Sequence, residues 1–194
     1  MTIGGNLTVT NGYLYGCLNG STTLNITGNY IQPGGQFAFS KAEGTAYGNT
    51  STVMNITGNA IITGGVFDLS QCDANNSAKG MGTINIRGNM SLSGSSSMTV
   101  TSAASRGLVN FNGTAEQLYT TVDNVTGLVD FNISAGAKLR LDQQIIKSSG
   151  FFNLNSTAGL IIGSADGITA SAAIGNVQVT GTRTFSTGAD YTYN

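Results

Sequence analysis

The residues of this chain that come closest to an acid–base site are two aspartates. The alternation of inward and outward side chains predicts that Asp68 faces outward from a strand, and Asp73 opens the loop that follows. Glycoside hydrolysis usually needs two carboxyl groups about 5 to 10 Å apart on one surface. The positions equivalent to Asp68 in neighbouring repeats are Ala38 and roughly Ser97 or Met98, so no third carboxylate supports the pair. We therefore predict that the chain is not an enzyme and treat both aspartates as candidate surface-recognition residues.

The loop at residues 73–77 contains oxygen ligands of the kind that calcium prefers. It lacks the glycine and the distant bidentate acid of an EF-hand loop, so we interpret it as a polar loop. The chain contains no histidine, which excludes Ser/His/Asp catalysis, Cys/His catalysis and most zinc sites. The sequence therefore predicts neither a metal nor another cofactor.

Three tyrosines are candidates for contact with a ligand. Tyr13 and Tyr15 flank Leu14, which the alternation places inward, and Tyr47 lies in a predicted loop. Exposed tyrosine rings can stack on sugars and anchor interfaces. This favours contact with surface glycans or with other cell-surface proteins. The alternative is that the rings of Tyr13 and Tyr15 pack against a preceding repeat of a longer protein.

The two cysteines, Cys17 and Cys72, could form a disulfide only if they meet. The spacing of the repeats puts them two repeats apart, which is about 9.6 Å along a stack of parallel strands. A disulfide seldom tolerates Cα atoms more than about 7 Å apart. We predict two free thiols unless the loop around Cys72 folds back towards the N-terminus.

Composition excludes several classes of partner. Charged residues make up 9% of the 194 residues and the net charge is −1, so the chain has no basic face for nucleic acid or for an anionic membrane. No apolar run approaches the roughly 20 residues of a membrane helix, and no membrane insertion is predicted. Residues 1–4 show no signal-peptide pattern, and we expect that a signal segment was removed. Since 40% of the chain is hydrophobic, it can bury a core and should fold.

The elements that position these side chains come from a repeated sequence. Residues 24–29, 54–59 and 84–89 read Leu-Asn-Ile-Thr-Gly-Asn, Met-Asn-Ile-Thr-Gly-Asn and Ile-Asn-Ile-Arg-Gly-Asn, at equal spacing. A second motif occupies residues 107–112 and recurs at residues 127–132, which is a shorter step along the chain. One inward anchor per copy predicts about eight coils, at Ile3, Ile26, Ile56, Ile86, Phe111, Phe131, Phe152 and Val179.

Copies this short cannot each enclose a core, so they must stack on one another. Because good helix formers are scarce and a Gly pair separates two short strands in the regular copies, the sequence predicts an all-β, right-handed parallel β-helix. We treat residues 1–194 as a single solenoid segment, with repeats of about 23–30 residues over 1–106 and about 20–27 over 107–194. An array of β-sandwich domains is the alternative, but it needs blocks of about 100 residues.

Stacking of equivalent residues predicts ladders along the axis. Asn25, Asn55 and Asn85 each lie between two inward residues and are predicted to face outward. The inward ladders contain Ile26, Ile56 and Ile86, and Phe37 on Phe67; the corner ladder contains Asn29, Asn59 and Asn89.

Two further features of the repeats concern their outer surface. The residues after the repeated Ile are Thr27, Thr57 and Arg87, so a rank of threonines of the kind that binds ice is broken at its third member. Insertions at residues 41–49 and 71–80 fall at one corner, which predicts a loop face for contacts.

The repeats also carry a family resemblance. The motifs at residues 25–29, 63–70 and 109–117, Asn-Ile-Thr-Gly-Asn, Thr-Gly-Gly-Val-Phe-Asp-Leu-Ser and Val-Asn-Phe-Asn-Gly-Thr-Ala-Glu-Gln, resemble repeat regions of large secreted Bacteroidota proteins. Many such proteins are exported by the type IX system and are described as adhesin-like. The resemblance implies a secreted or cell-surface location, and a segment cut from a longer protein.

Three functional hypotheses fit these features. The first is a non-enzymatic structural or adhesive solenoid module of a bacterial surface protein, a rigid stalk with a loop face. The second is a module that binds or degrades a polysaccharide on one sheet face. The third is a subunit that assembles end to end into an extracellular fibre, since a solenoid without caps exposes unpaired strand edges.

Overall fold

The computed structural model describes residues 1–17, 20–41, 51–71, 80–103, 105–169 and 174–194. Within these ranges the chain forms 21 β-strands and no helix. Accordingly, none of the described residues belongs to a helix long and apolar enough to cross a membrane. The prediction of an all-β protein is confirmed.

The strands are short and contain between two and six residues. In chain order they are β1 (Thr2–Ile3), β2 (Leu7–Thr8), β3 (Tyr13–Cys17), β4 (Ser21–Ile26), β5 (Tyr30–Gln32), β6 (Gln36–Ser40), β7 (Ser51–Ile56), β8 (Ala60–Ile62), β9 (Val66–Asp68), β10 (Met81–Ile86), β11 (Met90–Leu92), β12 (Ser97–Thr99), β13 (Arg106–Phe111), β14 (Glu116–Thr120), β15 (Val125–Thr126), β16 (Val129–Ile133), β17 (Lys138–Asp142), β18 (Phe152–Leu154), β19 (Gly159–Ile162), β20 (Arg183–Phe185) and β21 (Asp190–Tyr193).

The strands form three sheets, and the chain visits the sheets in turn. The first sheet has the order β1-β4-β7-β10-β13-β16-β18-β20, the second β2-β5-β8-β11-β14-β17-β19-β21, and the third β15-β12-β9-β6-β3. Every pairing between these strands is parallel. Each pass of the chain through the sheets is one coil. This parallel, cyclic order is consistent with a β-solenoid.

Equivalent apolar residues of the regular repeats stack inside the sheets. Ile26, Ile56 and Ile86 pair in register in the first sheet and are each at most 1% exposed. In the third sheet Phe37 pairs with Phe67, and their rings lie 6.0 Å apart in a stacked orientation. The buried apolar residues form one cluster that extends from Val9 to Val179. Burial of this shared interior is what holds successive coils together.

The corner asparagines of the regular repeats link each coil to the next. The side-chain oxygen of Asn29 accepts a 2.8 Å hydrogen bond from the backbone N–H of Asn59, and the oxygen of Asn59 accepts the same bond from Asn89. Glycine is required before them, because a Cβ atom at Gly58 would overlap the side-chain oxygen of Asn29. The Gly-Asn pair therefore closes the bend and satisfies a backbone donor there.

The register of the second half differs from the predicted one. Phe111 pairs with Ile133, two residues beyond Phe131, and Phe131 pairs with Val109. The predicted alignment of Phe131 with Phe152 is confirmed. The last strand of the first sheet is β20, not the segment around Val179. The repeated motif indicates the wrong pairing because a shift of two residues leaves the same side chains facing inward, so alternation alone cannot fix the register.

Candidate functional site

A row of six asparagines runs along the outer surface of the first sheet. From Asn55 onwards, each side-chain amide nitrogen donates to the amide oxygen of the asparagine one coil earlier, at distances of 2.7–2.9 Å. The row lies outside because each member alternates with buried residues, as Asn25 does between Leu24 and Ile26. We call this row the asparagine ladder: Asn25, Asn55, Asn85, Asn110, Asn132 and Asn153.

The ladder leaves hydrogen-bonding capacity unused in the first half of the chain. A carboxamide has two N–H donors and an oxygen with two lone pairs, and each link uses one donor and one lone pair. Among the described residues, the side-chain oxygens of Asn25, Asn55 and Asn85 each accept only the ladder bond. These three amides can therefore still donate to and accept from a ligand.

In the second half, two ladder oxygens use their second lone pair to accept a bond from another side chain of the protein. The oxygen of Asn110 accepts a second bond from the hydroxyl of Ser134 at 2.9 Å, and the oxygen of Asn132 accepts a second bond from Asn155 at 2.9 Å. Ser134 and Asn155 follow strands β16 and β18, at the position where the first half has threonines. At Asn110 and Asn132 the ladder is thus a closed polar network, whereas at Asn25, Asn55 and Asn85 it is open.

A groove of about 350 Å³ lies over the open part of the ladder. Its floor and walls include a second row of residues that immediately follow the strands of the first sheet. The backbone N–H groups of Thr57 and Arg87 donate to the carbonyls of Ile26 and Ile56, both at 3.0 Å, which keeps this row in step with the coils. The asparagine groove is lined by Asn25, Ile26, Thr27, Asn55, Ile56, Thr57, Asn85, Arg87 and Asn112.

Within the described part of the chain, Arg87 is the one charged residue that lines the asparagine groove. Its side chain is exposed, and it forms no ion pair with any described residue. Four other cations of this part are paired with carboxylates: Arg106 with Asp130, Lys138 and Arg140 with Glu116, and Lys147 with Asp123. The groove therefore presents an uncompensated positive charge within an otherwise neutral polar surface.

Two of the predicted recognition tyrosines lie side by side on strand β3, at one edge of the third sheet. Tyr13 is 70% exposed, and its ring stacks on that of Tyr15 with centroids 6.4 Å apart. The ammonium group of Lys41 lies 4.8 Å above the ring of Tyr15, a cation–π contact. Leu14, predicted to face inward, is 39% exposed because the sheet ends at β3.

The tyrosine pair and the asparagine groove are separate surfaces, because they lie on different sheets. Tyr47, the third predicted recognition tyrosine, lies outside the described residues. So does most of the predicted loop face, at residues 42–49 and 72–79. The contact role of that face therefore stays a prediction.

The prediction that the carboxylate of Asp68 is exposed is wrong. It lies on the outer face of β9 as alternation requires, yet it is completely buried. Its carboxylate accepts bonds from the hydroxyl of Thr101 at 2.5 Å, the backbone N–H of Thr101 at 3.2 Å and the backbone N–H of Ser70 at 3.0 Å. Burial raises the pKa of Asp68, and these three hydrogen bonds oppose the rise.

The sequence could not place Asp68 because its main partner, Thr101, lies 33 residues away. Ala38, which pairs with Asp68 one coil earlier, is also completely buried, so the outer face of the third sheet is covered there. The predicted carboxylate partner, Asp73, lies outside the described residues. Asp68 is therefore a structural acceptor that holds the segment after β12 and cannot act as a surface-recognition residue.

Only one of the two cysteines belongs to the described part of the chain. The backbone of Cys17 pairs with that of Ser40 at the end of β3, whereas Cys72 lies outside the described residues. The prediction of two free thiols therefore stays a prediction. Among the described residues no three histidine, cysteine, aspartate or glutamate side chains meet in a way that could hold a metal ion.

In the sequence, Arg87 is noticeable only because it occupies a position where two earlier repeats have threonine. Its position in the groove depends on the stacking of three coils, and the equal spacing of Thr27, Thr57 and Arg87 along the chain is the signal that could have revealed it. Comparison of the chain with protein-family models, with curated proteins and with solved structures finds no match. The site is therefore interpreted from its own chemistry.

Proposed function

We propose that this chain is a right-handed parallel β-helix of about eight coils that serves as a non-enzymatic structural or adhesive rod of a secreted bacterial surface protein. Two sheets have eight strands each, which supports the number of coils. Right-handedness is supported by the general rule that crossovers between parallel strands of one sheet are right-handed in about 98% of cases.

The observation that carries this proposal is the continuity of the ladders. Parallel pairing runs without interruption from β1 to β20 and from β2 to β21, and the asparagine ladder spans both halves. Seven steps of about 4.8 Å correspond to a rod roughly 34 Å long. Backbone hydrogen bonds directed along this axis resist bending and extension, as a stalk or spacer requires.

The state of Asp68 supports a role without catalysis. A general acid or a nucleophile must reach its substrate, and the carboxylate of Asp68 is buried and accepts three hydrogen bonds. The secreted location is supported by the resemblance of the repeat motifs to Bacteroidota surface proteins. Surface glycans or other cell-surface proteins are the proposed partners.

The test combines structure determination, adhesion and turnover. A crystal structure should show parallel coils stacked about 4.8 Å apart, and beads coated with the protein should adhere to surfaces coated with bacterial or host glycans. The same glycans in solution should release no oligosaccharide during prolonged incubation. Separate globular sandwiches in place of stacked coils would contradict the rod, and measurable depolymerisation would contradict the non-enzymatic role.

End-to-end assembly is a second candidate, favoured by exposed aromatic residues on the outermost strands. Tyr193 on β21 is 63% exposed and Tyr13 on β3 is 70% exposed. Unpaired strand edges with apolar side chains are able to pair with another chain. The molar mass measured by light scattering should then increase with protein concentration, and the Tyr193→Lys variant should stay monomeric. A monomer at all concentrations would exclude this candidate.

A further inference from the structure

We propose that the asparagine groove binds an extended anionic polysaccharide whose chain lies parallel to the axis of the rod. One carboxylate or sulfate group of the polymer contacts the guanidinium group of Arg87. This inference rests on the proposed adhesive role and names the class of ligand that the rod would hold. None of the residues that line the groove belongs to the insertions that the sequence indicated as a loop face.

The first argument is the match between two periods. Amide groups of the ladder recur once per coil, at the parallel strand spacing of about 4.8 Å. This distance is close to the length of one pyranose ring in an extended polysaccharide, so successive sugars can meet successive coils in similar ways. Three open amides, Asn25, Asn55 and Asn85, line the groove in this repeat.

The second argument is the kind of hydrogen bonding that remains. Each open amide offers one N–H donor and one lone pair to the groove, and a pair of neighbouring sugar hydroxyls offers the reverse. The hydroxyls of Thr27 and Thr57 border the same surface and can also donate or accept. A carbohydrate chain offers both kinds of group at every repeat.

The third argument is charge complementarity. A guanidinium group binds carboxylate or sulfate through two parallel hydrogen bonds, and such charge-assisted bonds are stronger than neutral ones. None of the described residues that line the groove is a carboxylate, so an anionic ligand meets no like charge from them. One arginine is too few for nucleic acid, whose affinity depends on the neutralisation of several phosphates. A sparsely charged anionic glycan fits better than a dense polyanion.

The limits of the groove predict the length of the bound segment. Beyond Asn85 the ladder oxygens of Asn110 and Asn132 are occupied by Ser134 and Asn155. The lining residues extend from Thr27 to Asn112, which is four successive positions of the row that follows the strands. We therefore expect an optimum length of about four sugar rings, one per coil.

The decisive experiment is isothermal titration calorimetry with three probes: a tetrameric oligouronide, a sulfated tetrasaccharide and a neutral cello-tetraose. The two anionic probes should bind, and Arg87→Gln should weaken their binding at least tenfold while changing the binding of cello-tetraose less than twofold. The matched control is Arg140→Gln, which makes the same change of net charge on the second sheet and should leave all three affinities unchanged.

A gain-of-function variant separates loss of the site from loss of the fold. Thr57→Arg adds a second guanidinium group one coil away from Arg87, at an exposed position, and should strengthen binding of a probe with two anionic groups several-fold. Equal loss in the Arg87→Gln and Arg140→Gln variants would overturn the proposal, because it would indicate attraction to net charge only. Absence of binding by any probe at millimolar concentration would also overturn it.

The outcome can be distinguished from failure of the rod hypothesis. A crystal structure of the same protein shows whether the coils stack. Stacked coils that bind none of the three probes refute the polysaccharide site and leave the structural or adhesive role standing. A structure without stacked coils refutes the rod, and with it the groove.

Discussion

The two halves of this molecule build the same ladders from different coils. From Ser21 to Ile86 the paired strands of the first sheet keep the same offset of 30 along the chain. In the second half the offset between paired residues falls to 25, then 22, then 21 and finally rises to 31. Among the described residues the third sheet ends at β15, although an isolated parallel bridge between Ile146 and Val177 follows later in the chain. The ladders continue through both halves although the number of residues per coil changes. The stacked positions therefore define the fold, and the corners accommodate the differences in length.

The halves differ most in charge, and stacking explains why. Of the 17 charged residues, 11 lie in residues 105–194. In a strict repeat, a charge at one position would face the same charge one strand away, which is destabilising. The irregular half can instead place opposite charges in neighbouring coils, as with Arg106 and Asp130. Arg87 is tolerated in the regular half because its neighbours in the row are Thr57 and Asn112.

The largest expected effect tests the aromatic core of the regular half. The ring of Phe67 lies 5.1–6.0 Å from those of Tyr30, Phe37 and Phe39, so Phe67→Ala should lower the free energy of unfolding by about 3–5 kcal/mol. Phe131→Ala in the other half should cost less, since among the described residues that ring contacts one aromatic ring, Tyr119. Urea unfolding followed by far-ultraviolet circular dichroism measures both. Equal losses would show that the halves are packed alike.

The next effect concerns glycines at positive φ. Gly65 has a φ of 74°, and a Cβ atom there would overlap the carbonyl oxygen of Gly35. Gly65→Ala should therefore destabilise by about 2–4 kcal/mol, from backbone strain and from the clash. Gly136 in the irregular half has a φ of 78° but open space around it, so Gly136→Ala should cost only the strain, about 1–2 kcal/mol. The melting temperatures of the two variants should differ in this order, and the reverse order would contradict close stacking of the regular coils.

A smaller loss of stability is expected for variants of the asparagine ladder, and it differs between the two halves. Asn85→Ala removes two ladder bonds, whereas Asn132→Ala removes three bonds, because Asn132 also accepts from Asn155. At about 1 kcal/mol per bond, Asn132→Ala should be the more destabilising variant by roughly that amount. Urea titrations of both proteins measure the difference. If Asn85→Ala costs as much, its amide makes further bonds and the ladder is not open in the first half.

The smallest effect is a pH dependence due to Asp68. Its pKa is raised in the folded state by burial, so the folded protein binds a proton more tightly than the unfolded chain does. The contribution of Asp68 is therefore fully present below the ordinary aspartate pKa and is lost as the pH rises through the raised value. The unfolding free energy of the wild type minus that of the Asp68→Asn variant should therefore decrease as the pH rises over that interval. A difference that stays constant from about pH 4 to about pH 7 would contradict a raised pKa of Asp68 in the folded protein.

Much of the first half could be predicted from the sequence. The equal spacing of the motifs makes Ile26, Ile56 and Ile86 equivalent, and the structure brings them into one buried column. The second half is harder because its coils differ in length, and a shift of two residues preserves the inward pattern. The motif around Phe111 and Phe131 therefore indicated a pairing that the structure does not contain. The sequence does not reveal the groove for a related reason, since the groove exists only where the amides of several coils lie side by side.

The sequence by itself determined the local properties of this protein: short strands, Gly-Asn corners and an apolar face on every strand of the regular repeats. Those features depend on alternation and on residues adjacent in the chain. Tertiary structure alone decided which residues meet across coils, namely the pairing of Phe111 with Ile133, the burial of Asp68 under Thr101, and the grouping of Arg87 with the open amides. The physical reason is that each of these groupings includes residues more than 20 positions apart, and its register depends on how many residues the intervening corners take up.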